Sequence, residues 1–245
     1  MFMIFCDVST IPYKIFIPYE TFRGVVLRTP SSNREWRSGL GYIDSTPILV
    51  VSTGVGGPSI SICIDELAQL GIRTFIRAGT TGAIQENINV GDLVISTGAV
   101  RLDGASKDFA PLEYPAVANI DVTNALIASA VDHGIKPHVG ITVSTDTFYQ
   151  AQERYSGYSS FLIERHVNSI EQWRRLNALN FEMESGTLLT MCSAFGLEAG
   201  CVAGVIVSRA EQESIDLSVI NDVQNSVAKV AIGAAKILCG RSISG

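Results

Sequence analysis

From residue 47 onward, short apolar runs alternate with longer stretches in which apolar residues recur at helical spacing. "PILVVSTG" (47–54) is a continuous apolar run stopped by a glycine, the pattern of a strand buried on both faces. "SISICIDELAQLG" (59–71) has helical spacing and a glycine stop. "TFIRAGTTG" (74–82) and "GDLVISTGAV" (91–100) read as strands, "VTNALIASAVDHG" (122–134) as a helix, and "HVGITVSTDTFY" (138–149) as a strand. A polar, aromatic stretch (150–175) interrupts the pattern and is placed as an excursion over a site. A helix over 184–196, a strand "AGCVAGVIVSR" (199–209) and a closing helix near 216–239 complete the chain. Strands alternating with helices predict a three-layer α/β/α arrangement around a mixed, mainly parallel sheet. Ligands of such sheets lie beyond the carboxyl ends of the strands. The stretches to inspect are therefore "STGVGGPS", "RAGTTGA", "STDTFYQ", "FEMES" and "VSRAEQE".

Length and composition narrow the field. A chain of 245 residues suits one domain, taken as residues 1–245, with a full core. Hydrophobic residues make up 47% and charged ones 17%, too apolar for disorder and consistent with surface buried in an oligomer. A net charge of −6, with no basic run, argues against a nucleic-acid partner. No apolar stretch reaches the roughly 18 residues of a membrane span. The apolar start lacks a basic region and a small-residue cleavage site, so it does not read as a signal peptide. Five cysteines without C-x-x-C read as reduced core thiols of a cytosolic protein, and His133, His138 and His166 lack zinc-site spacing.

Each strand end then offers a chemistry and a plain alternative. "RAGTTGA" supplies Arg77, Thr80 and Gly82, a guanidinium fork with hydroxyl and backbone donors that suits a phosphate; it also reads as a simple turn. In "FYQAQERY", Gln152 and Arg154 share one face if the segment is extended. They then match a planar ring of alternating carbonyl and N–H groups, with Phe148 available to stack; a solvated face is the plain alternative. "NFEMES" places Glu182, Met183 and Glu184 where a helix starts. Acids there complement the helix dipole, and a carboxylate at a strand-to-helix junction can also hold two sugar hydroxyls.

Together with "SNREW" and "VRLDGASKDFAPLEYPAVA", these stretches resemble the uridine phosphorylase branch of the nucleoside phosphorylase family, in order from about residue 32 to the end. The resemblance implies reversible phosphorolysis of uridine to uracil and ribose 1-phosphate, with inorganic phosphate as co-substrate and no organic cofactor. By that resemblance Arg77, Thr80 and Gly82 hold phosphate, with Arg34 arriving from a neighbouring subunit. Thr80, Glu182, Met183 and Glu184 hold ribose. Phe148, Gln152, Arg154, Ile206, Val207 and Arg209 surround uracil. Glu35, Val55 and Ser59 match a potassium site between subunits of a homo-oligomer, a dimer or a hexamer of three dimers. Relatives acting on purines carry an aspartate where this chain reads Ser208-Arg209, which favours uridine.

Residues 1–31 depart from the pattern. The family's G-D-P-x-R loop is missing, and no histidine precedes His133. "YKIFIPYETFR" (13–23) is the one segment that could overlay the family's first strand and loop, with Arg23 at the phosphate arginine. Two other readings stay open. One is a different nucleoside phosphorylase or hydrolase of this fold. The other is a catalytically weak paralogue that binds nucleosides.

Overall fold

The computed structural model describes residues 2–6, 28–33, 36–43, 46–210, 214–215 and 219–241. Among them, strand β4 (Thr46–Ser52) shows how the layers form. Its residues alternate, Ile48 and Val50 joining one apolar core and Leu49 and Val51 the other. Strand β5 (Thr74–Ala83) repeats this, with Ile76 and Ala78 on one face and Phe75 on the opposite face. The first core is closed by helices α2 (Ile120–Asp132) and α5 (Ile220–Arg241), the second by α1 (Gly57–Gln69) and α4 (Ser185–Ala194). The expected helix–sheet–helix layering is thus present.

Local chemistry sets the helix ends. Helix α1 buries Ile60, Cys63, Ile64 and Leu67 at helical spacing and carries proline in its first turn, where no donor is lost. Asn119 caps α2, its side chain accepting from the N–H groups of Asp121 at 2.9 Å and Val122 at 3.1 Å. Helix α4 is buried on every side from Ser185 to Cys192, as its lack of a polar face requires. No helix among the described residues is long and apolar enough to cross a membrane.

The sheet is mixed, and its parallel pairings lie at the centre. Strand β5 pairs in parallel with β10 (Glu198–Ser208), and β8 (His138–Thr145) pairs in parallel with β6 (Leu93–Leu102) and with β9 (Asn180–Glu182). The other described pairings are antiparallel, among them β10 with β6, β5 with β9, and β6 with the two-residue β7 (Ala116–Val117). The sequence of pairings β5–β10–β6–β8–β9–β5 closes on itself. The ring gathers the carboxyl ends of β5, β8 and β9: Gly82 lies opposite Phe181, and Ser144 opposite Glu182. The other side of β5 pairs with β1 (Phe2–Cys6), which runs antiparallel and is followed outward by β4, β3 (Trp36–Ile43) and β2 (Arg28–Asn33). The segment 13–23, which the sequence reading matched to the family's first strand and loop, lies outside the described residues. Arg23, Arg34 and Glu35 lie outside the described residues.

Cys63, Cys192 and Cys201 are buried thiols outside any disulfide, and Cys239 is buried as well. Burial, helped by Glu66, pushes the Cys63 thiol up to about 12. Burial also pushes Cys201 up to about 12, against the opposing pull of Arg77, and raises Cys192. Thiolate, the reactive form, is therefore scarce at mild pH. Iodoacetamide at about pH 8 should leave these three unmodified in the native protein and label them after unfolding, as read by peptide mass mapping. Rapid native labelling of any of them would contradict this packing.

Candidate active site

A cavity of about 490 Å³ opens at the carboxyl ends of the central strands. Its wall includes Arg77, Thr80 and Gly82 of β5, Phe148, Gln152 and Arg154 of the following excursion, and Glu182 of β9 with Met183 and Glu184. Ile206 and Val207 of β10 also line it, and Val55 stands at the exposed rim. Arg77, Gln152, Arg154, Glu182 and Glu184 are each no more than 5% exposed, so their charges and dipoles act in a medium poorer than water.

The two glutamates have different tasks. Glu182 Oε2 accepts from the backbone N–H groups of Glu184 and Ser185, both at 2.9 Å, and so caps the start of α4. Glu184 Oε2 accepts from Arg77 Nε at 3.1 Å and Nη2 at 2.7 Å, and its Oε1 accepts from the Gly56 N–H at 2.7 Å. Gly56 has φ +93°, a left-handed conformation that turns its N–H toward the carboxylate and disfavours any side chain. Arg77 Nε is also 3.1 Å from Glu182 Oε2, so one guanidinium serves both acids. Burial lowers the affinity of Arg77 for its proton, but Glu182 and Glu184 reverse this and hold it more firmly charged than an ordinary arginine. Burial, and then the Glu184 charge, raises the Glu182 carboxyl against the opposing effects of Arg77 and the helix N–H.

Arg77 reaches this position through strand alternation, which puts it on the Phe75 face and hence on the side of α4. Its guanidinium lies across Gly79, where an added Cβ would sit 2.9 Å from both Cζ and Nη1. Arg77 Nη1 is buried and makes no hydrogen bond to the described residues.

Gln152 and Arg154 meet, although not by sharing the face of an extended strand. The segment is a turn, and Glu153 takes φ +53°. Arg154 Nη1 donates to Gln152 Oε1 at 2.6 Å and to the Phe148 carbonyl at 2.8 Å, and the guanidinium lies 3.7 Å from the Phe148 ring centroid. Gln152 Nε2 donates to Thr145 Oγ1 at 3.1 Å. Arginine only donates, so the amide oxygen must face it, and the orientation of the Gln152 amide is thereby set.

Arg209 is not in the cavity wall. Its Nη1 donates to the Gln152 carbonyl and its Nη2 to the Glu153 carbonyl at 3.1 Å, so it holds the turn of Gln152–Arg154 from behind. Ser59 Oγ is likewise engaged, donating to the Thr53 carbonyl at 2.5 Å and accepting from Trp36 Nε1 at 3.1 Å. Three participants were not singled out in the sequence. Gly79 lies under Arg77, Thr145 fixes Gln152, and Gln224 of α5 lines the cavity beside Val227 and Ala228. Of these only Gln224 leaves a trace in the pattern, as a polar residue at helical spacing from that apolar pair.

Residues 19–240 match the family model of the phosphorylase superfamily. A uridine phosphorylase of Haemophilus influenzae is 58% identical over 208 residues, covering 85% of this chain and 82% of that protein. The Escherichia coli uridine phosphorylase is 51% identical over 208 residues with the same coverage. That of Thermococcus kodakarensis is 45% identical over 206 residues, covering 84% and 72%. The match extends across both cores and every strand end that forms the cavity, and the chain belongs to the phosphorylase superfamily.

Proposed function

We infer that the chain catalyses the reversible phosphorolysis of uridine to uracil and ribose 1-phosphate, with inorganic phosphate as co-substrate and no organic cofactor. The observation that carries this reading is the convergence of Arg77, Glu184, Gln152 and Arg154 on one cavity. An anion donor, a hydroxyl acceptor and a reader of a planar amide ring there surround space for a single nucleoside.

The glycosidic bond breaks through an oxocarbenium-like state, with positive charge on the sugar and negative charge on the departing base. Gln152 and Arg154, already locked to each other, to Thr145 and to Phe148, need little rearrangement to stabilise the uracil anion. Ile206, Val207 and Met183 provide apolar wall. Arg77 offers the buried Nη1 donors to phosphate, alongside the Thr80 hydroxyl and the loop at Gly82, while Arg34 and Arg23 remain further candidates for that anion. Phosphate then attacks the sugar carbon as the bond to the base breaks.

Glu184 has about four acceptor positions on its two oxygens, and three are filled by Arg77 Nε, Arg77 Nη2 and Gly56. Two ribose hydroxyls need two positions, so one protein donor must be released. Arg77 Nε is the one that can go, because Glu182 at the same 3.1 Å receives it without loss of pairing.

The same reading takes the enzyme as cytoplasmic and as a homo-oligomer, a dimer or three dimers in a ring. A potassium ion would lie at a subunit boundary, held by Glu35, Val55 and Ser59. Ser59 Oγ, with one lone pair used by Trp36, has another for a cation. Such an ion would supply fixed positive charge at that boundary.

Chromatography of uridine incubated with the chain tests the activity. Uracil release should require phosphate and match ribose 1-phosphate formation, with uridine favoured over inosine. Release without phosphate would identify a hydrolase, preference for inosine a purine enzyme, and uracil binding without turnover a weak paralogue.

A further inference from the structure

The residue between the two base readers faces away from the cavity and makes a separate set of contacts. Glu153 Oε1 accepts from the Asn168 N–H at 2.7 Å, and Oε2 from the Ile170 N–H at 2.8 Å and from Ser169 Oγ at 3.3 Å. It thereby joins the reader turn to the start of α3 (Ser169–Arg175). The far end of α3 is fixed in turn. Arg174 Nε donates to the Ile84 carbonyl at 2.7 Å, just past β5, and its Nη2 to the Arg209 and Ala210 carbonyls at 3.3 and 3.4 Å, just past β10. Arg209 closes the circuit through the Gln152 and Glu153 carbonyls. The ends of β5 and β10, which carry cavity residues on two sides, are thus tied through α3 to the turn that carries Gln152 and Arg154.

We infer that Glu153 is a positioning residue: it holds the reader turn in register with β5 and β10, so that the Gln152–Arg154 pair meets the base at a fixed place. This rests on the uridine reading above. The backbone supports the assignment. Glu153 adopts φ +53° without being glycine, which is uncommon and persists only where surrounding contacts enforce it. The carboxylate provides those contacts from one side and Arg209 from the other. Ser169 is buried, but the Asn168 N–H bond is exposed and the Ile170 N–H bond only part-buried, so water can replace the carboxylate at these two donors and removing it threatens the position of the turn more than the fold.

Steady-state kinetics of Glu153→Ala and Glu153→Gln, varying uridine and phosphate separately, test this. Glu153→Ala should raise the uridine KM about tenfold, as expected for loss of charged hydrogen bonds, and leave the phosphate KM within about twofold. Glu153→Gln keeps the length and one acceptor oxygen, and should fall between Glu153→Ala and the wild type. It decides the matter if Glu153→Ala does not fold. An unchanged uridine KM, or equal rises for both substrates, would overturn the role of Glu153 while leaving the function intact. Absence of phosphate-dependent turnover in the wild-type chain would overturn the function and this role with it.

Discussion

Replacing Arg77 with alanine is expected to lower kcat by on the order of 10²–10³ and to raise the KM for phosphate. The guanidinium is buried, it binds Glu184 through two nitrogens, and its Nη1, without a hydrogen-bond partner among the described residues, is the donor that the proposed reading gives to phosphate. Its removal also leaves two buried carboxylates without their cation, a change that typically costs about 3–5 kcal/mol. Loss of activity alone would therefore be ambiguous, and Arg77→Lys separates the causes. Lysine keeps the charge and loses the planar fork. That variant should fold and still show the raised phosphate KM. A folded variant with wild-type phosphate kinetics would remove Arg77 from the mechanism. A pH signature accompanies the alanine variant. Glu182 is already raised by burial and by Glu184, and without Arg77 its main opposing cation is gone. A carboxyl raised in the folded state contributes its stability below the unfolded value, and that contribution is lost as pH rises through the folded value. Arg77→Ala should thus recover part of its deficit against the wild type on acidification toward the usual carboxylate range, as read by thermal melts between about pH 5 and 8.

The sequence made the wall of this site legible more than its internal wiring. Strand ends could be read because buried strands are continuous apolar runs, and in an α/β sheet their carboxyl ends are where ligands bind. Gln152 and Arg154 were legible as residues, but their geometry was not. Nothing in "QER" signals a left-handed glutamate, and the turn is enforced by Arg209 and α3 from distant parts of the chain. The closed run of pairings was hidden for a similar reason. It depends on β5 meeting the short strand β9, a contact about a hundred residues away in sequence that no local pattern encodes. Strand β3 escaped notice because Gly39 and Gly41 dilute its β character, and β1 because five apolar residues fit several structures. The acid pair shows both outcomes. Its place at a helix start was legible from the run that follows. Which acid caps the helix and which binds Arg77 through two nitrogens is decided by the turn between β9 and α4.

Replacing Glu184 is expected to abolish preference for the ribose diol while sparing recognition of the base. On the proposed reading its carboxylate, paired with Arg77 and Gly56, accepts the ribose hydroxyls, whereas Gln152 and Arg154 are held by a separate set of contacts. Glu184→Ala should therefore cost about 10- to 100-fold in kcat/KM for uridine, the range for a lost charged hydrogen bond, and leave uracil affinity measured by calorimetry nearly unchanged. The sharper test pairs the enzyme change with a substrate change. If the carboxylate grips the 2′-hydroxyl, removing that hydroxyl from the substrate and the carboxylate from the protein must be non-additive, because the second removal has nothing left to break. The ratio of kcat/KM for uridine over 2′-deoxyuridine should then fall toward one in Glu184→Ala. Glu184→Gln keeps the shape and some hydrogen bonding, so it should retain part of the ratio. A ratio unchanged from the wild type would mean that the carboxylate serves only to hold Arg77, and the hydroxyl acceptor would have to be sought elsewhere along the cavity wall.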